Sequence, residues 1–429
     1  MDLFIPSCIL LFSFILFICI RLPIVFALIA SSLITAIYIN LPPLVIWQRM
    51  VQGVQSFSLL AIPFFILAGE IMLEGGLAKR LVAFADVLVG RIRGGLAEVN
   101  IVACAFFGAV SGSTTASISS IGATMIPMME KQGYNKVFAT NVNICGSTQA
   151  MIIPPSHNMI IYAMAAGGVS AGKLFLGGLV AGIILMLSFM IITYIICVKQ
   201  NYPKGKSYNL KEALSASKDS ILGMLTIVII LVGVVSGFFT ATESAAIACL
   251  YAFFITFFVY KEIPLSAIWR ILSRTGKTLA MVMTIIAAAN GFGYMLSYLR
   301  IPAAITSGLL NITSDPIMLL LLINIMLLVL GCIMDVAPLI VIVTPILMPI
   351  ISSIGVDPVH FGIIMLLNLA IGNCTPPVGL ALFTGCAVGR VPIEKVMKGI
   401  MPFYMAMVIA LLIVTYFPGT IMWLPDMFM

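Results

Sequence analysis

The stretch Ser111-Gly-Ser-Thr-Thr-Ala-Ser117 interrupts an apolar run that extends over the 36 residues 94–129. At 1.5 Å rise per residue, this length suits two half-crossings of a membrane better than two full crossings. Irregular backbone survives inside the hydrocarbon layer only where protein or a cavity satisfies its polar groups. The stretch therefore predicts a re-entrant helical hairpin with an irregular tip near the middle of a membrane.

The composition of the whole chain requires a membrane around this hairpin. Of the 429 residues, 62% are hydrophobic and 9% are charged, whereas soluble domains have about 25% charged residues. Apolar runs of about 20 residues recur from end to end, which favours helices over the alternating pattern of a β-barrel. We therefore expect an all-α polytopic membrane protein with no soluble catalytic domain.

The basic residues indicate a topology. Nineteen of the 22 Lys and Arg residues fall into six clusters between apolar runs, and the positive-inside rule places these clusters in the cytoplasm. The runs between clusters must then cross an even number of times or dip in and return, which predicts that both termini lie outside. The remaining residues are Arg300 and, on outside loops, Arg49 and Lys173. The clusters fall at residues 21, 79–93, 131–136, 199–218, 261–277 and 390–398.

The two halves of the chain share a pattern. A shift of 222 residues aligns Pro154-Pro155 with Pro376-Pro377 and gives 10 identities over the 51 positions 127–177. The charge clusters place equivalent positions of the two copies on opposite sides of the membrane: where the first copy faces the cytoplasm, the second faces outside. The sequence therefore predicts an inverted structural repeat with two re-entrant helical hairpins and two broken helices, which is typical of secondary transporters.

Four breaks follow from this repeat, and each offers a place to bind charge. Half-helix N-termini carry partial positive charge and unpaired N–H groups, which suit carboxylates. Half-helix C-termini and unwound carbonyl groups suit sodium ions. The breaks are expected at residues 111–117, 146–155, 331–338 and 372–377.

Charged residues inside apolar runs are costly, so each one needs an explanation. Asp335 falls at the tip of the second hairpin, where we expect it to bind an ion or the substrate. Arg300 precedes that hairpin and is suited to hold an organic anion bidentately, with snorkelling to the outer interface as the alternative. For Glu70 and Glu243 we expect structural hydrogen bonding or subunit contact, and for His157 a structural role, with a position lining the site as the alternative.

Other segments bear on function and shape. The P-loop is absent, because position 271 is Ile where that motif needs its first Gly, so transport would need an ion gradient. A channel-like or non-transporting subunit of a larger assembly is the alternative, and no nucleophile–base pair or metal cluster favours an enzyme. Residues 264–277 predict an interfacial amphipathic helix. Residues 78–90 and 301–312 predict flat connecting arms before the hairpins.

Four motifs resemble the large membrane subunit of the tripartite ATP-independent periplasmic (TRAP) transporters. They are FGAVSGSTTAS at 107–117, IGATMIPMM at 121–129, IIPPS at 152–156 and FTATESAA at 239–246. The resemblance covers essentially the whole chain and implies an elevator-type ion transporter fold, like that of divalent anion–sodium symporters. It also implies sodium-coupled uptake of an organic acid across the bacterial inner membrane.

The resemblance implies partners as well. A periplasmic substrate-binding protein would deliver the acid, and a separate small four-helix membrane subunit would complete the assembly in the lipid bilayer. We expect no nucleic-acid partner. Family members carry C4-dicarboxylates, sialic acid, sugar acids and other carboxylates, and the overall sequence looks most like the sialic-acid branch.

The resemblance also carries over binding residues by motif. One sodium ion (Na+) would lie between residues 111–115 and 146–154, the other between residues 331–335 and 372–375, and the substrate would bind between the two tips. The expected sodium ligands are Ser111, Ser113, Gly146, Pro154, Gly331, Asp335, Gly372, Asn373 and Thr375. The expected substrate contacts are Ser113, Thr114, Thr115, Pro155, Arg300 and Asp335.

This interpretation divides the chain into a fixed scaffold, connecting arms and a moving transport domain. Because the second tip, 334–338, has few hydroxyl groups, its sodium ligands would be mainly carbonyl oxygens. The expected segments are scaffold 1–78 and 188–299, arms 79–93 and 300–312, transport domain 94–187 and 313–399, and a final helix within 400–429.

Overall fold

The computed structural model describes residues 3–205, 210–313 and 315–429, with the backbone alone described over 210–219. Within these residues the regular secondary structure is helical, apart from an isolated bridge between Arg93 and Lys204. The polytopic all-α architecture that the composition predicts is confirmed. Seven described helices are long and apolar enough to cross a membrane, namely Phe57–Glu74, Ala171–Lys199, Ala241–Tyr260, Leu265–Tyr298, Pro316–Ile333, Val336–Ser353 and Ile393–Tyr416.

The described part of the chain contains twenty α-helices. The first ten are α1 (Phe4–Cys19), α2 (Ile24–Tyr38), α3 (Pro43–Gly53), α4 (Ala61–Glu74), α5 (Leu77–Val89), α6 (Gly95–Ser111), α7 (Thr114–Lys131), α8 (Lys136–Ser147), α9 (His157–Ala165) and α10 (Ala171–Lys199). The last ten are α11 (Leu210–Val235), α12 (Ala241–Phe254), α13 (Ile268–Tyr298), α14 (Ile301–Ile312), α15 (Pro316–Ile333), α16 (Val336–Ser353), α17 (Pro358–Asn373), α18 (Leu380–Gly389), α19 (Ile393–Tyr416) and α20 (Gly419–Phe428). Four short helical segments extend or connect them, namely Phe57–Leu60, Thr148–Met151, Ile255–Tyr260 and Leu265–Ala267.

The duplicated pattern of hairpins and broken helices is confirmed. In the first copy, α6 and α7 form a hairpin, α8 and α9 form a broken helix, and α10 is a long span. In the second copy, α15 to α19 repeat this order, and a shift of 222 residues carries both ends of α7 onto both ends of α16. The chain therefore builds the same unit twice.

A pair of buried asparagines joins the hairpin to the broken helix in each copy. In the first copy, the side-chain amides of Asn100 on α6 and Asn143 on α8 lie 3.2 Å apart. In the second copy, Asn368 Nδ2 donates to Asn324 Oδ1 at 2.8 Å, which joins α17 to α15. Since polar side chains in a membrane gain from partners on neighbouring helices, these pairs fix each hairpin against its own broken helix.

The helices pack as two groups. We call α6–α10 and α15–α19 the hairpin body, because the two copies contact each other through α7 with α18, α8 with α19, and α9 with α16. We call α1–α4 and α11–α13 the scaffold, in which α13 packs on α2, α3 and α4, and α12 packs on α4 and α11. The groups meet where α4 contacts α6 and where α13 contacts α16. Helices α5 and α14 connect them.

Two of the expected domain boundaries fall where the structure has a continuous helix. The limits at 187/188 and 399/400 fall inside the continuous helices α10 and α19. A continuous helix moves as one rigid element, and both helices pack on α17 and α8 of the hairpin body. We therefore assign both helices in full to that body.

Three helices differ from the sequence-based prediction. Residues 264–277 do not form a separate interfacial helix or a loop, because α13 runs without interruption from Ile268 to Tyr298. The expected final helix ends at Tyr416, and α20 follows it. Pro418 disfavours helical backbone at Phe417, which has a φ of −121°. Helix α3, which begins at Pro43, was not expected.

Candidate functional site

A cavity of about 480 Å³ lies where the two hairpin tips and the two helix breaks face the scaffold. Both copies of the repeat contribute to its wall, and the remaining wall comes from α4 and α13. The hairpin body supplies residues 111–116, Ser119, Met151, His157, Asn158, Asp335, Val336, Ala337, Asn373 and Leu380. The scaffold supplies Ile66, Gly69, Glu70, Leu73, Arg274, Thr278, Met281, Val282 and Ile285.

The first hairpin tip is a tight turn between α6 and α7. Gly112 has a φ of 61°, a left-handed conformation that glycine adopts without the clash of a Cβ. Ser113 caps α7, since its Oγ accepts a hydrogen bond from Ala116 N at 3.3 Å and lies 3.2 Å from Thr115 Oγ1. A Cβ on Gly69 would lie 3.2 Å from Ser111 Cα, so α4 packs directly on this tip. The tip thus presents hydroxyl groups to the cavity.

The second hairpin tip is in close contact with the break after α17. A Cβ on Gly372 would lie 2.6 Å from the Gly331 carbonyl carbon, so two glycines let the backbones meet. Nearby, Val378 N donates to Cys332 O at 3.0 Å. The tip and the break are therefore joined by backbone contact behind the cavity wall.

Four helices begin at the cavity. Their first residues, Thr114, His157, Val336 and Leu380, all line it. Asp335 caps α16 by accepting a hydrogen bond from Val336 N at 2.8 Å. Because each helix N-terminus carries roughly half a positive charge and unpaired N–H groups, their convergence makes the cavity suitable for an anion.

The scaffold wall carries a charge network. Arg270 and Arg274 on α13 both donate to the carboxylate of Glu74 on α4, Arg270 Nη2 at 2.7 Å from Oε2. Arg274 and Glu70 line the cavity, and Glu70 Oε2 is buried without a hydrogen-bond partner in the described structure. Arg274 is therefore ion-paired with a carboxylate that it shares with Arg270, and its side chain still borders the cavity.

Several hydroxyl oxygens around the first tip are buried without a hydrogen-bond partner among the described residues. In the described residues, Thr114 Oγ1, Ser117 Oγ and Ser156 Oγ are buried without a hydrogen-bond partner. Thr114 and Ser117 lie in the first turn of α7, and Ser156 separates Pro154-Pro155 from α9. Hydroxyl and carbonyl oxygens at helix breaks are the ligands that transporters use for sodium.

The structure brings together part of the expected site. Six of the expected residues line the one cavity, namely Ser111, Ser113, Thr114, Thr115, Asp335 and Asn373. Gly331 and Gly372 meet behind it, and Thr375 is in the same break, with Oγ1 donating to Ile371 O at 2.8 Å. Pro155 backs the first tip, since its carbonyl oxygen would lie 3.7 Å from a Cβ on Gly112, and Pro154 precedes it.

Two expected residues are elsewhere. Gly146 lies before the break and packs on α6, where its Cβ would lie 3.4 Å from Ile101 Cα. Arg300 is between α13 and α14, fifteen residues beyond Ile285, the last residue of α13 that lines the cavity. At 1.5 Å per residue, this separation is roughly 22 Å along the helix axis, so the structure does not bring Arg300 to the cavity.

Sequence reasoning missed Arg274 and Asn158. Arg274 was expected in a cytoplasmic loop, yet it lines the cavity together with Thr278, Met281 and Ile285 of α13. These positions recur at helical spacing and no proline separates them from the apolar run after 277. That continuity was the available signal for one long helix. Asn158 is the second residue of α9, directly after a recognised break.

The duplicated hairpins, the broken helices and the cavity that they enclose define a helical membrane transporter. The fold is similar to that of the YdaH transporter from Alcanivorax borkumensis, with a TM-score of 0.63 and 13% identity over 86% of this chain and 87% of that one. Residues 11–420 match the family described as tripartite ATP-independent periplasmic transporter, DctM component. The chain belongs to this family, whose members are transporter permeases rather than enzymes.

Named relatives agree with this assignment. The chain is 40% identical to the C4-dicarboxylate TRAP transporter large permease protein DctM of Pseudomonas aeruginosa, over 88% of each chain. It is 36% identical to the sialic acid TRAP transporter large permease protein SiaM of Vibrio cholerae, over 89% of each chain. The chain is thus a large permease of this family of three-part transporters.

Proposed function

We propose that this permease catalyses sodium-coupled secondary active uptake of an organic acid across the bacterial inner membrane. The observation that carries the proposal is the convergence of four helix N-termini and the hydroxyls of the first tip on one cavity. Such a cavity attracts a carboxylate without needing a fixed cation on the moving part. The substrate would lie between the two tips.

Sodium would bind behind the tips. One ion would lie between the first tip and the first break, where the unpartnered oxygens of Thr114 and Ser156 are buried. The other would lie at the contact of Gly331 with Gly372, with mainly carbonyl ligands. Each ion would stiffen a tip against its break, so that substrate binding and sodium binding favour each other.

The transport movement would carry the whole site past the scaffold. The first tip and α16 rest against α4 and α13, and the same asparagine pairs that join each hairpin to its broken helix keep the site intact as it moves. An elevator mechanism of this kind needs two rigid bodies with a smooth contact. The apolar middle of α13, around Val282 and Ile285, offers such a contact.

The cavity would face the cytoplasm in this conformation. It is lined by Arg274, which belongs to one of the six basic clusters that the positive-inside rule places in the cytoplasm. Sodium and substrate would leave through this opening. Both termini would then lie on the periplasmic side.

The partners would follow from the three-part organisation of the family. A periplasmic binding protein would present the acid to the outer face, and a small four-helix membrane subunit would pack on the scaffold. Large apolar side chains such as Phe12 and Trp269 are exposed and would contact lipid. Among the acids, sialic acid and C4-dicarboxylates are the first candidates, because relatives that cover most of this chain are named for them.

Uptake by proteoliposomes tests the proposal. The permease with its two partners is reconstituted, an inward sodium gradient is imposed, and uptake of labelled sialic acid and succinate is measured. We expect accumulation that requires both sodium and the binding protein, and none when potassium replaces sodium. Downhill flux without accumulation would favour the channel-like alternative, and absence of any flux across several carboxylates would contradict the proposal.

A further inference from the structure

A second cavity of about 390 Å³ lies away from the hairpin tips, again between the scaffold and the hairpin body. Polar scaffold side chains form one wall, and the end of α9 and the middle of α16 form the other. None of its lining residues belongs to the site described above. They are Arg49, Gln52, Gly53, Met164, Ala165, Ala289, Asn290, Gly293, Tyr294, Ser297, Val341 and Pro345.

The two cavities lie along the same three helices. On α13 the first cavity ends at Ile285 and the second begins at Ala289, and α9 and α16 likewise border both cavities. Pro345 follows Val336 by nine residues, which is roughly 13 Å along α16. Between the stretches of these helices that line the two cavities, the chain has the buried apolar residues Ile161, Ile286, Leu339 and Ile340.

Arg49 gives the second cavity a guanidinium group that forms no ion pair with the acids of the described residues. Its guanidinium lies 4.6 Å from the centre of the Tyr294 ring and donates to Gln52 Oε1 at 3.4 Å. Across the described residues, the ion pairs of the chain do not include Arg49. Arg274 in the first cavity differs, because it is ion-paired with Glu74, which it shares with Arg270. The ring of Tyr294 holds the Arg49 side chain at the cavity without cancelling its charge.

The cavity also offers neutral hydrogen-bonding groups beside this cation. Gln52, Asn290, Tyr294 and Ser297 line it and can donate to carboxylate or hydroxyl oxygens. Its volume falls in the range of small-molecule sites, about 300–1,000 Å³. A planar guanidinium with several donors around it is the arrangement that binds carboxylates bidentately.

We propose that the second cavity is a binding site for the carboxylate group of the transported acid, on the membrane side opposite the opening of the first cavity. Arg49 is its anion ligand. The charge pattern places Arg49 outside. The site would therefore hold the acid on the outer side before the hairpin tips move to that side. This inference rests on the proposed function, since it takes the transported acid as its ligand.

Cysteine labelling tests the site without requiring transport. Gln52→Cys is made in a background in which the exposed Cys8 and Cys19 are serine, and its rate of reaction with an anionic methanethiosulfonate reagent is measured in detergent. We expect Arg49→Gln to slow this reaction at least fivefold and to leave the rate of a cationic reagent equal or higher. We also expect 10 mM succinate or sialic acid to slow the anionic reagent only when Arg49 is present. Equal rates with and without Arg49, or no protection by either acid, would overturn the inference.

An uptake measurement then distinguishes the contribution of this site from that of the hairpin tips. Uptake is measured from each side in oriented vesicles for the wild type, Arg49→Gln, Arg49→Lys and the control Lys173→Gln, another basic residue expected outside. We expect Arg49→Gln to raise KM at least fivefold from the Arg49 side only, and Arg49→Lys to raise it less. An equal change from both sides would indicate a structural role and contradict the inference. Absence of transport by the wild type would instead contradict the proposed function, and the labelling result would still stand by itself.

Discussion

At the scale of single residues, the cavity is lined by side chains that also begin helices. Ser113 and Asp335 cap α7 and α16, so each has a structural partner in the first turn of its helix. A cap contributes about 1 kcal/mol to stability, whereas a carboxylate at an intramembrane cavity has a further cost that a bound cation or donor must offset. Folding and binding can therefore be separated by replacing the charge while keeping the cap.

Asp335→Asn makes that separation. Asparagine caps helices as well as aspartate does, so the unfolding free energy should change by less than about 1 kcal/mol. Because the charge at the second tip is lost, sodium-dependent uptake should fall at least tenfold. The matched control is Asp315→Asn, which keeps the cap of α15, where Asp315 Oδ1 accepts from Ile317 N at 3.2 Å, away from the cavity lining. Normal uptake by Asp335→Asn, or an equal loss in both variants, would show that the charge has no part in binding.

Arg274 and Arg270 form a second matched pair. Both donate to Glu74 and both side chains are about half exposed, 51% and 57%, so either replacement by glutamine should cost a similar small amount of stability. Only Arg274 lines the cavity. We therefore expect Arg274→Gln to reduce uptake at least fivefold and Arg270→Gln to reduce it less than twofold. Similar uptake by the two variants would mean that the ion pair with Glu74, rather than the cavity, determines the effect.

At the scale of elements, the sequence predicts the hairpins and broken helices better than the long helices. Polar or proline-rich interruptions of apolar runs, such as 111–117 and 154–155, can be recognised locally. They are reliable because the membrane tolerates irregular backbone only where its polar groups are satisfied. Whether α13 includes residues 268–277 depends on tertiary contacts such as those of Arg270 and Arg274 with Glu74 on α4. An amphipathic helix on a membrane surface and the end of a long helix have the same sequence pattern. The pattern alone therefore does not distinguish an interfacial helix from an extension of α13.

The residues of the site also divide into those that the local sequence predicts and those that depend on tertiary packing. Residues adjacent to an interruption, such as Thr114, Asp335 and Asn373, were found from local pattern and line the cavity. Arg274 could not be placed, because its approach to the tips depends on how the scaffold packs against the hairpin body. A one-dimensional pattern locates breaks along the chain, but it does not show which distant helix will face them.

The contact between Gly331 and Gly372 is an element-scale feature that Gly372→Ala tests. A Cβ on Gly372 would lie 2.6 Å from the Gly331 carbonyl carbon, so the tip and the break must move apart. Overpacking of this kind costs about 1–3 kcal/mol. We expect the sodium concentration for half-maximal uptake to rise at least fivefold. Gly276→Ala is the control, since its added methyl group meets nothing within 4 Å. Unchanged sodium dependence in Gly372→Ala would remove the proposed ion from this contact.

At the scale of the whole molecule, the scaffold and the hairpin body meet along helices that border both cavities. The two cavities follow one another along α9, α13 and α16. A site between two tips opens to both sides either by swinging one tip or by sliding the body past the scaffold. Since each hairpin is fixed to its own broken helix by backbone contact or buried asparagines, sliding preserves more contacts.

A disulfide between the two bodies distinguishes these movements. A Cβ on Gly172 of α10 would lie 3.3 Å from Val234 Cγ1 of α11 and 2.7 Å from Met429 Sδ, so Gly172→Cys and Val234→Cys bring two thiols close once the flexible end of the Met429 side chain moves. The matched control, Gly399→Cys with Val137→Cys, joins two helices of the hairpin body, since a Cβ on Gly399 of α19 would lie 3.5 Å from Val137 Cγ1 of α8 and, as in the first pair, one side-chain end, Asn141 Nδ2 at 2.6 Å, has to move. If the body slides, oxidation of the first pair should stop uptake and reduction should restore it, while oxidation of the control pair should leave most uptake intact. Complete crosslinking of the first pair with uptake continuing would require that the site opens by movement of a tip, because a body tied to the scaffold cannot travel across the membrane.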